Sequence, residues 1–259
     1  MDNPLKYSLT TRFKDRHILR LLDLHPGERV LDVGCGIGYL SGLAAEVGVE
    51  VCGVDMSSAA LKHGASLVRR QPFACAGADQ LPFPDDSFDK VIFADVIEHV
   101  PDDGAALREI WRVCRPGAKV AVATPAIEAL FTETRMKTLL HGEEDQYLKN
   151  VCDGYTAEYL SRMMDEAGMH PEEVVYTNFY LVELLLGLTK LLYFAKQRRY
   201  KSQADLVRLS TSPLFELYKK VVFPIFLGIG RAEEKVLQGH CKGHCLIVGG
   251  RVEKKTRAK

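Results

Sequence analysis

The sequence predicts an α/β domain built on a doubly wound, mostly parallel sheet, and three observations carry that prediction. Between residues 29 and 124, five short apolar runs alternate with segments whose apolar residues recur at helical spacing. A glycine-rich turn, Gly34-Cys35-Gly36-Ile37-Gly38, joins the first run to the helix after it. The 259 residues, 47% apolar and 26% charged, suffice for one generous α/β domain with an insertion, and exclude a disordered chain.

Taken in order, Thr11 to Leu22 reads as an N-terminal helix and Arg29 to Val33 (RVLDV) as the first strand. Tyr39 to Val47 is the next helix, Val49 to Val54 the second strand, and Ser57 caps a helix running to about Val68. Phe73 to Ala76 makes a weaker third strand. Lys90 to Ala94 (KVIFA), the helix Asp103 to Val113 and Lys119 to Thr124 (KVAVAT) continue the alternation. Continuous rather than alternating apolar strands imply a sheet covered on both faces. Beyond Pro125 the stretch 126–153 is polar and irregular. A helix at Thr156 to Ala167, stopped by Gly168, then precedes a strand at Glu173 to Thr177, and His244 to Val252 closes the sheet.

Charge and cysteine usage narrow the function. Thirty-four Lys and Arg balance 34 Asp and Glu, which argues against binding of nucleic acid through general phosphate attraction. Seven scattered cysteines without CxxC spacing, and an N-terminal stretch without the apolar core of a signal peptide, predict a reducing, cytoplasmic address.

At the glycine turn the spacing is GxGxG, not the GxGxxG of dinucleotide binders, and Asp32 lies two residues before the first glycine. A carboxylate there serves a pyrophosphate poorly and an ammonium group well. Asp55 ends the second strand, where doubly wound folds place an acid on ribose hydroxyls. A nucleoside joined to an amino acid fits both, and S-adenosylmethionine is such a ligand; a tight turn without a ligand is the alternative.

Four stretches carry a family resemblance: VLDVGCGIGYLS (30–41), VDMSSAAL (54–61), LPFPDDSFDKVIFADVIEHVPD (81–102) and WRVCRPGAKVAVATP (111–125). In their order and spacing the chain resembles the class I S-adenosylmethionine-dependent methyltransferases, in particular the branch with the ubiquinone and menaquinone methyltransferases. The likeness is strong over about 25–125 and weak over 150–178. It implies a seven-stranded, Rossmann-like sheet and S-adenosyl-L-methionine as cofactor. By the same resemblance Gly34, Cys35, Gly36 and Gly38 line the methionine and ribose portion, with Asp32 near the amino group and Asp95 completing the set. Asp55 takes both ribose hydroxyls, Met56 packs on adenine, and Ala78 offers its N–H to the ring. Where the family has an aspartate four residues before LPF this chain has Gly77, so Asp79 is the substitute for the adenine amino group.

Methyl transfer from a sulfonium is an in-line displacement that alignment alone can promote, so no catalytic triad is expected. His99 is the candidate base for a hydroxyl acceptor, the alternative being that Glu98 and His99 only orient the loop. Asp95, Glu98 and His99 also have the spacing of a divalent-metal motif, and HCKGHC (240–245) superficially looks like a metal site. Neither has a full ligand set in the sequence, and no metal is expected.

The stretch 179–239 reads as an insertion into a core of 1–178 plus 240–259. Phe179 to Ala195 and Leu214 to Gly230 are almost wholly apolar, with Pro224 as a kink in the second. Nine basic and three acidic residues lie between 179 and 231. Glu183 and Lys190, and the length of the first run, argue against a membrane span, leaving a lid, a homodimer element or an element peripheral at the inner face of a membrane. The activity expected is methyl transfer to a hydrophobic small molecule of lipid, quinone or terpenoid character. A cofactor-binding module without turnover is the alternative, and an NAD(P)-dependent oxidoreductase is disfavoured by the turn.

Overall fold

The structure, a computed structural model, describes residues 8–67, 71–128, 152–182, 184 and 216–254. Helix α1 (Leu9–Leu22) precedes β1 (Arg29–Val33), α2 (Tyr39–Ala45), β2 (Glu50–Asp55), α3 (Ser58–Leu67) and β3 (Phe73–Cys75). Then come β4 (Phe88–Ala94), α4 (Asp103–Val113), β5 (Cys114–Pro125), α5 (Ala157–Glu166), β6 (Met169–Thr177), α6 (Phe223–Leu237) and β7 (Cys245–Val252). They form one seven-stranded sheet in the order β3-β2-β1-β4-β5-β7-β6. The first five strands are parallel, while β7 runs antiparallel to both β5 and β6.

Period-two alternation sends the strand residues to two cores. On one face Val30, Ile92, Ala121 and Ile247 pack with Ile18 and Leu22 of α1 and Ala44 of α2. On the other, Leu31, Phe93, Val120 and Val248 pack with Leu107, Ile110 and Leu160 from α4 and α5. The uninterrupted apolar strands are thus explained by helices on both sides. The alternation fails once, since turns rather than a helix join β3 to β4.

Local signals set the helix ends. The Ser57 hydroxyl accepts from Ala60 N at 3.2 Å, Asp102 from Ala105 N at 2.7 Å and Thr156 from Tyr159 N at 3.1 Å, each satisfying an otherwise orphaned N–H. Helix α1 runs against the parallel strands. Asp23, just past its C-terminus, meets Lys119 at the start of the paired part of β5, and Lys14 meets Asp95 just beyond β4.

Two elements exceed their expected bounds. Strand β6 begins at Met169, not Glu173, with a register shift between Pro171 and Glu173. At a sheet edge a proline and a pair of glutamates are tolerated, because that side needs no ladder donor and faces water. The second apolar stretch runs past Gly230 to Leu237, and Pro224 lies inside a continuous helical run, 216–237. Just before it the ladder widens into a π-helical turn, Tyr218–Val222, the local distortion expected where a proline enters a helix, and α6 continues from there. The polar stretch 129–151 and most of the first apolar run, 185–195, lie outside the described residues.

Helix α6 is fastened by polar contacts that its apolar pattern conceals. Glu234 is buried; His17 Nε2 donates to its Oε1 at 2.7 Å, Thr177 Oγ1 donates to the same oxygen at 2.9 Å, and Arg16 pairs with its Oε2. Gly230 lies where a Cβ would sit 2.7 Å from Phe13 and 2.8 Å from Val182, so the helix crosses α1 at a glycine.

Candidate functional site

At the carboxyl edge of β1 the chain turns through three left-handed glycines, Gly34 (φ 73°), Gly36 (φ 55°) and Gly38 (φ 73°). L-residues rarely adopt this region. At Gly34 packing adds to the constraint, since a Cβ would stand 2.1 Å from Val96 Cγ2. At Gly36 a Cβ would meet nothing within 4 Å, so the inner side of the turn is open. The N–H groups of Gly34 and Cys35 donate to Val54 O at 2.7 and 2.9 Å, tying the turn to β2.

Asp55 braces that turn. Its Oδ2 accepts from Gly36 N at 2.8 Å and its Oδ1 from Ser57 N at 2.7 Å. A carboxylate accepts about four hydrogen bonds, so each oxygen keeps capacity for a hydroxyl group of a ligand. Met56, the next residue, is 82% exposed, an apolar surface unused by the fold. Ala78, in the loop after β3, is buried, and Asp79 leans over Gly77, where a Cβ would lie 2.5 Å from Asp79 Oδ1. Glycine at 77 therefore leaves the room that the Asp79 carboxylate occupies.

Asp32 lies beneath the turn. It is buried, and Ser41 Oγ donates to its Oδ2 at 2.5 Å. Burial pushes its carboxyl up to about 6, against the Ser41 hydrogen bond. Asp95 stands at φ 56° beyond β4, exposed and paired with Lys14. Burial also raises the Cys35 thiol, which is held protonated at neutral pH and is no nucleophile.

A 3₁₀ turn, Ile97–His99, follows β4 and faces the glycine turn through the Val96 contact. Glu98 is buried and accepts from Thr124 Oγ1 at 3.1 Å, and burial raises its carboxyl. His99 Nε2 lies 4.0 Å from Glu98 Oε1, and His99 Nδ1 is buried with no hydrogen-bond partner among the described residues. Asp95 is turned to Lys14 and Glu98 to Thr124. Among the described residues no group of three or more His, Cys, Asp or Glu side chains could hold a metal ion.

The residues singled out from the sequence are thus gathered along the carboxyl edges of β1, β2, β3 and β4, beside four neighbours the sequence did not single out. Ser41 and Tyr39 begin α2, and Lys14 and Asp15 come from α1. The available signal was Asp15, a carboxylate three positions before Ile18 on the buried side of an amphipathic helix.

The fold and turn have known counterparts. Residues 31–122 match the family model described as a methyltransferase domain. Over 170 residues the chain is 31% identical to Methyltransferase GfsG of Streptomyces halstedii, covering 63% of this chain and 56% of that protein. Over 116 residues it is 39% identical to the demethylmenaquinone methyltransferase of Corynebacterium urealyticum, covering 44% of this chain and 50% of that one. The chain therefore spans about half the length of these curated relatives. Among solved structures, a Haemonchus contortus phosphoethanolamine N-methyltransferase in complex with S-adenosyl-L-methionine superposes with a TM-score of 0.58 at 19% identity. That match covers 93% of this chain and 52% of the other, and it is a likeness of fold.

Proposed function

We propose a function from the premise that residues 31–122 are a methyltransferase domain of the class I S-adenosylmethionine-dependent type: methyl transfer from that cofactor to a hydrophobic small molecule. The observation that carries this reading is the open glycine turn braced by Asp55, with an exposed Met56 on one side and buried Asp32 on the other. Those groups fit a ligand with a flat base, a vicinal diol and an ammonium group. Bound there, the cofactor would supply an electrophilic methyl group on a sulfonium, open to in-line displacement.

The chain's own part is placement and proton handling. Asp55 would receive the ribose hydroxyls, Met56 and Ala78 the adenine, with Asp79 in the role the family gives to an aspartate at 77. Gly34, Cys35, Gly36 and Gly38 would let the backbone close on the methionine portion, and Asp32 would face its amino group. His99 would take the acceptor's proton: its Nδ1 is a buried atom without a partner, which an acceptor hydroxyl could satisfy, and Glu98 would stabilise the imidazolium that forms.

For the acceptor, support comes from the insertion. Leu217, Val221, Ile225 and Ile229 recur at four-residue spacing and are exposed, with Lys220 beside them. Such a face suits a lid over an apolar substrate or contact with an anionic membrane surface. No helix among the described residues is long and apolar enough to cross a membrane. The relative named for demethylmenaquinone adds weak support for a quinone-like acceptor.

The test is incubation of the full chain with methyl-labelled S-adenosylmethionine and extracts of quinones, polar lipids and terpenoids, followed by mass spectrometry. One acceptor gaining one methyl group, with S-adenosylhomocysteine released, supports the reading. Binding of cofactor with no release across all acceptor classes would favour the module without turnover. In the same samples, flotation with anionic vesicles that weakens as salt rises supports the membrane role of the insertion. Indifference to vesicles at low salt sinks it.

A further inference from the structure

The first turns of α1 reach the glycine turn. Because α1 runs against the strands, its Lys14 stands at the carboxyl edge, paired with Asp95 beyond β4. Asp15 comes next and points inward: it is only 3% exposed, and its Oδ2 has no hydrogen-bond partner among the described residues. Asp32 is on the face of β1 that meets α1, since Val30, two residues earlier, packs with Ile18 and Leu22. Tyr39, directly after Gly38, is also buried, and its hydroxyl faces the Arg12 side chain.

Two carboxyl groups are therefore buried within electrostatic reach of each other beside an open turn. Burial first, and then the Asp32 charge, push the Asp15 carboxyl up to about 7, against Lys14 and Arg12. The groups facing Asp15 are Arg12 and Lys14 from its own helix, Asp32 from β1 and Tyr39 from α2, with Asp95 neutralising Lys14. Nothing in this set requires a buried carboxyl at 15 for stability. An uncharged side chain would be cheaper to bury.

We propose that Asp15 and Asp32 form a paired receptor for a primary ammonium group, with the Tyr39 hydroxyl as a further acceptor, and that Asp15 is a binding residue for the amino-acid end of the ligand. The inference rests on the proposed cofactor site and assigns a part of it to α1. An ammonium carries three donors. Asp15 Oδ2, the lone pairs that Asp32 keeps beyond its contacts with the Ser41 hydroxyl and N–H, and the lone pair that the Tyr39 oxygen keeps beyond Arg12 are the acceptors available to it. Without the ligand, burial and the Asp32 charge favour the protonated Asp15 carboxyl; arrival of the cation displaces that proton to solvent, so charge is conserved and binding strengthens as pH rises through the neutral range.

The experiment is calorimetry of the full chain with two ligands. S-adenosylhomocysteine has the amino group, and 5′-methylthioadenosine shares the nucleoside and thioether but lacks it. In Asp15→Asn, affinity for S-adenosylhomocysteine should fall roughly 10- to 100-fold while that for methylthioadenosine holds, the latter also reporting an intact fold. In the wild type, only S-adenosylhomocysteine should release a proton, seen as a heat that changes with the buffer's ionisation enthalpy. Unchanged affinity in Asp15→Asn, or equal losses for the two ligands, overturns the assignment but leaves the cofactor site standing. A wild type that binds neither ligand overturns both. If Asp15→Asn does not fold, proton release decides: equal release with the two ligands overturns the receptor.

Discussion

Asp55 holds two backbone N–H groups while keeping lone pairs for a ligand, so its loss should be felt twice. In Asp55→Ala the Gly36 N–H loses its acceptor and the ribose loses its own, and cofactor affinity should drop by about 1–3 kcal/mol in calorimetry. For His99, His99→Ala should lower kcat by roughly 100-fold or more with cofactor affinity retained if the imidazole is the base. Buried carboxyls also make a stability prediction. The Asp15 carboxyl is raised by burial from 3.8 to about 7, so the folded state binds the extra proton. Its favourable contribution is complete below the unfolded value and is lost as pH rises through the folded one. Asp15→Asn should therefore be more stable than the wild type at pH 8, on the order of 2 kcal/mol, with the difference vanishing towards pH 4 in urea titrations. At this scale Asp32 and Asp55 were legible because their meaning lies in their distance from the glycines. Asp15 was not, since its importance depends on which strand its helix crosses.

Helix α6 shows how an element can be legible in kind and misread in role. Its apolar residues announced a helix, yet what fixes it to the core is Glu234, seated on His17 and Thr177. In Glu234→Ala the His17 and Thr177 donors are left buried without an acceptor, which should cost about 2–4 kcal/mol. The effect should appear first as faster hydrogen exchange in α6 and in the first half of α1, with β1 and β4 still protected. At Gly34, alanine would need both a left-handed backbone and the space of Val96. Gly34→Ala should abolish cofactor binding and lower the unfolding midpoint, whereas Gly36→Ala, with open space at its Cβ, should weaken binding mainly through its backbone. The boundary that escaped the sequence at β6 is set by β7, its pairing partner far along the chain.

For the molecule as a whole, alternation of apolar runs was enough to reveal a parallel sheet covered on both faces, because burial on two sides writes itself into every strand. The place of β7 between β5 and β6 left no comparable local trace and appears only in the structure. That placement sets an order of events during synthesis. While the ribosome is still short of residue 245, β5 has one finished neighbour, β4, and β6 has no partner in the sheet. The apolar flank of β5 then waits as an open template for some 120 residues of translation, the interval in which strands of different nascent chains can pair with each other. A chain stopped at Gln238 should accordingly emerge insoluble or chaperone-bound in a cell-free system. Extension through Val252 should release it as protease-resistant protein, and soluble, compact truncated chains would show that the first five strands mature independently.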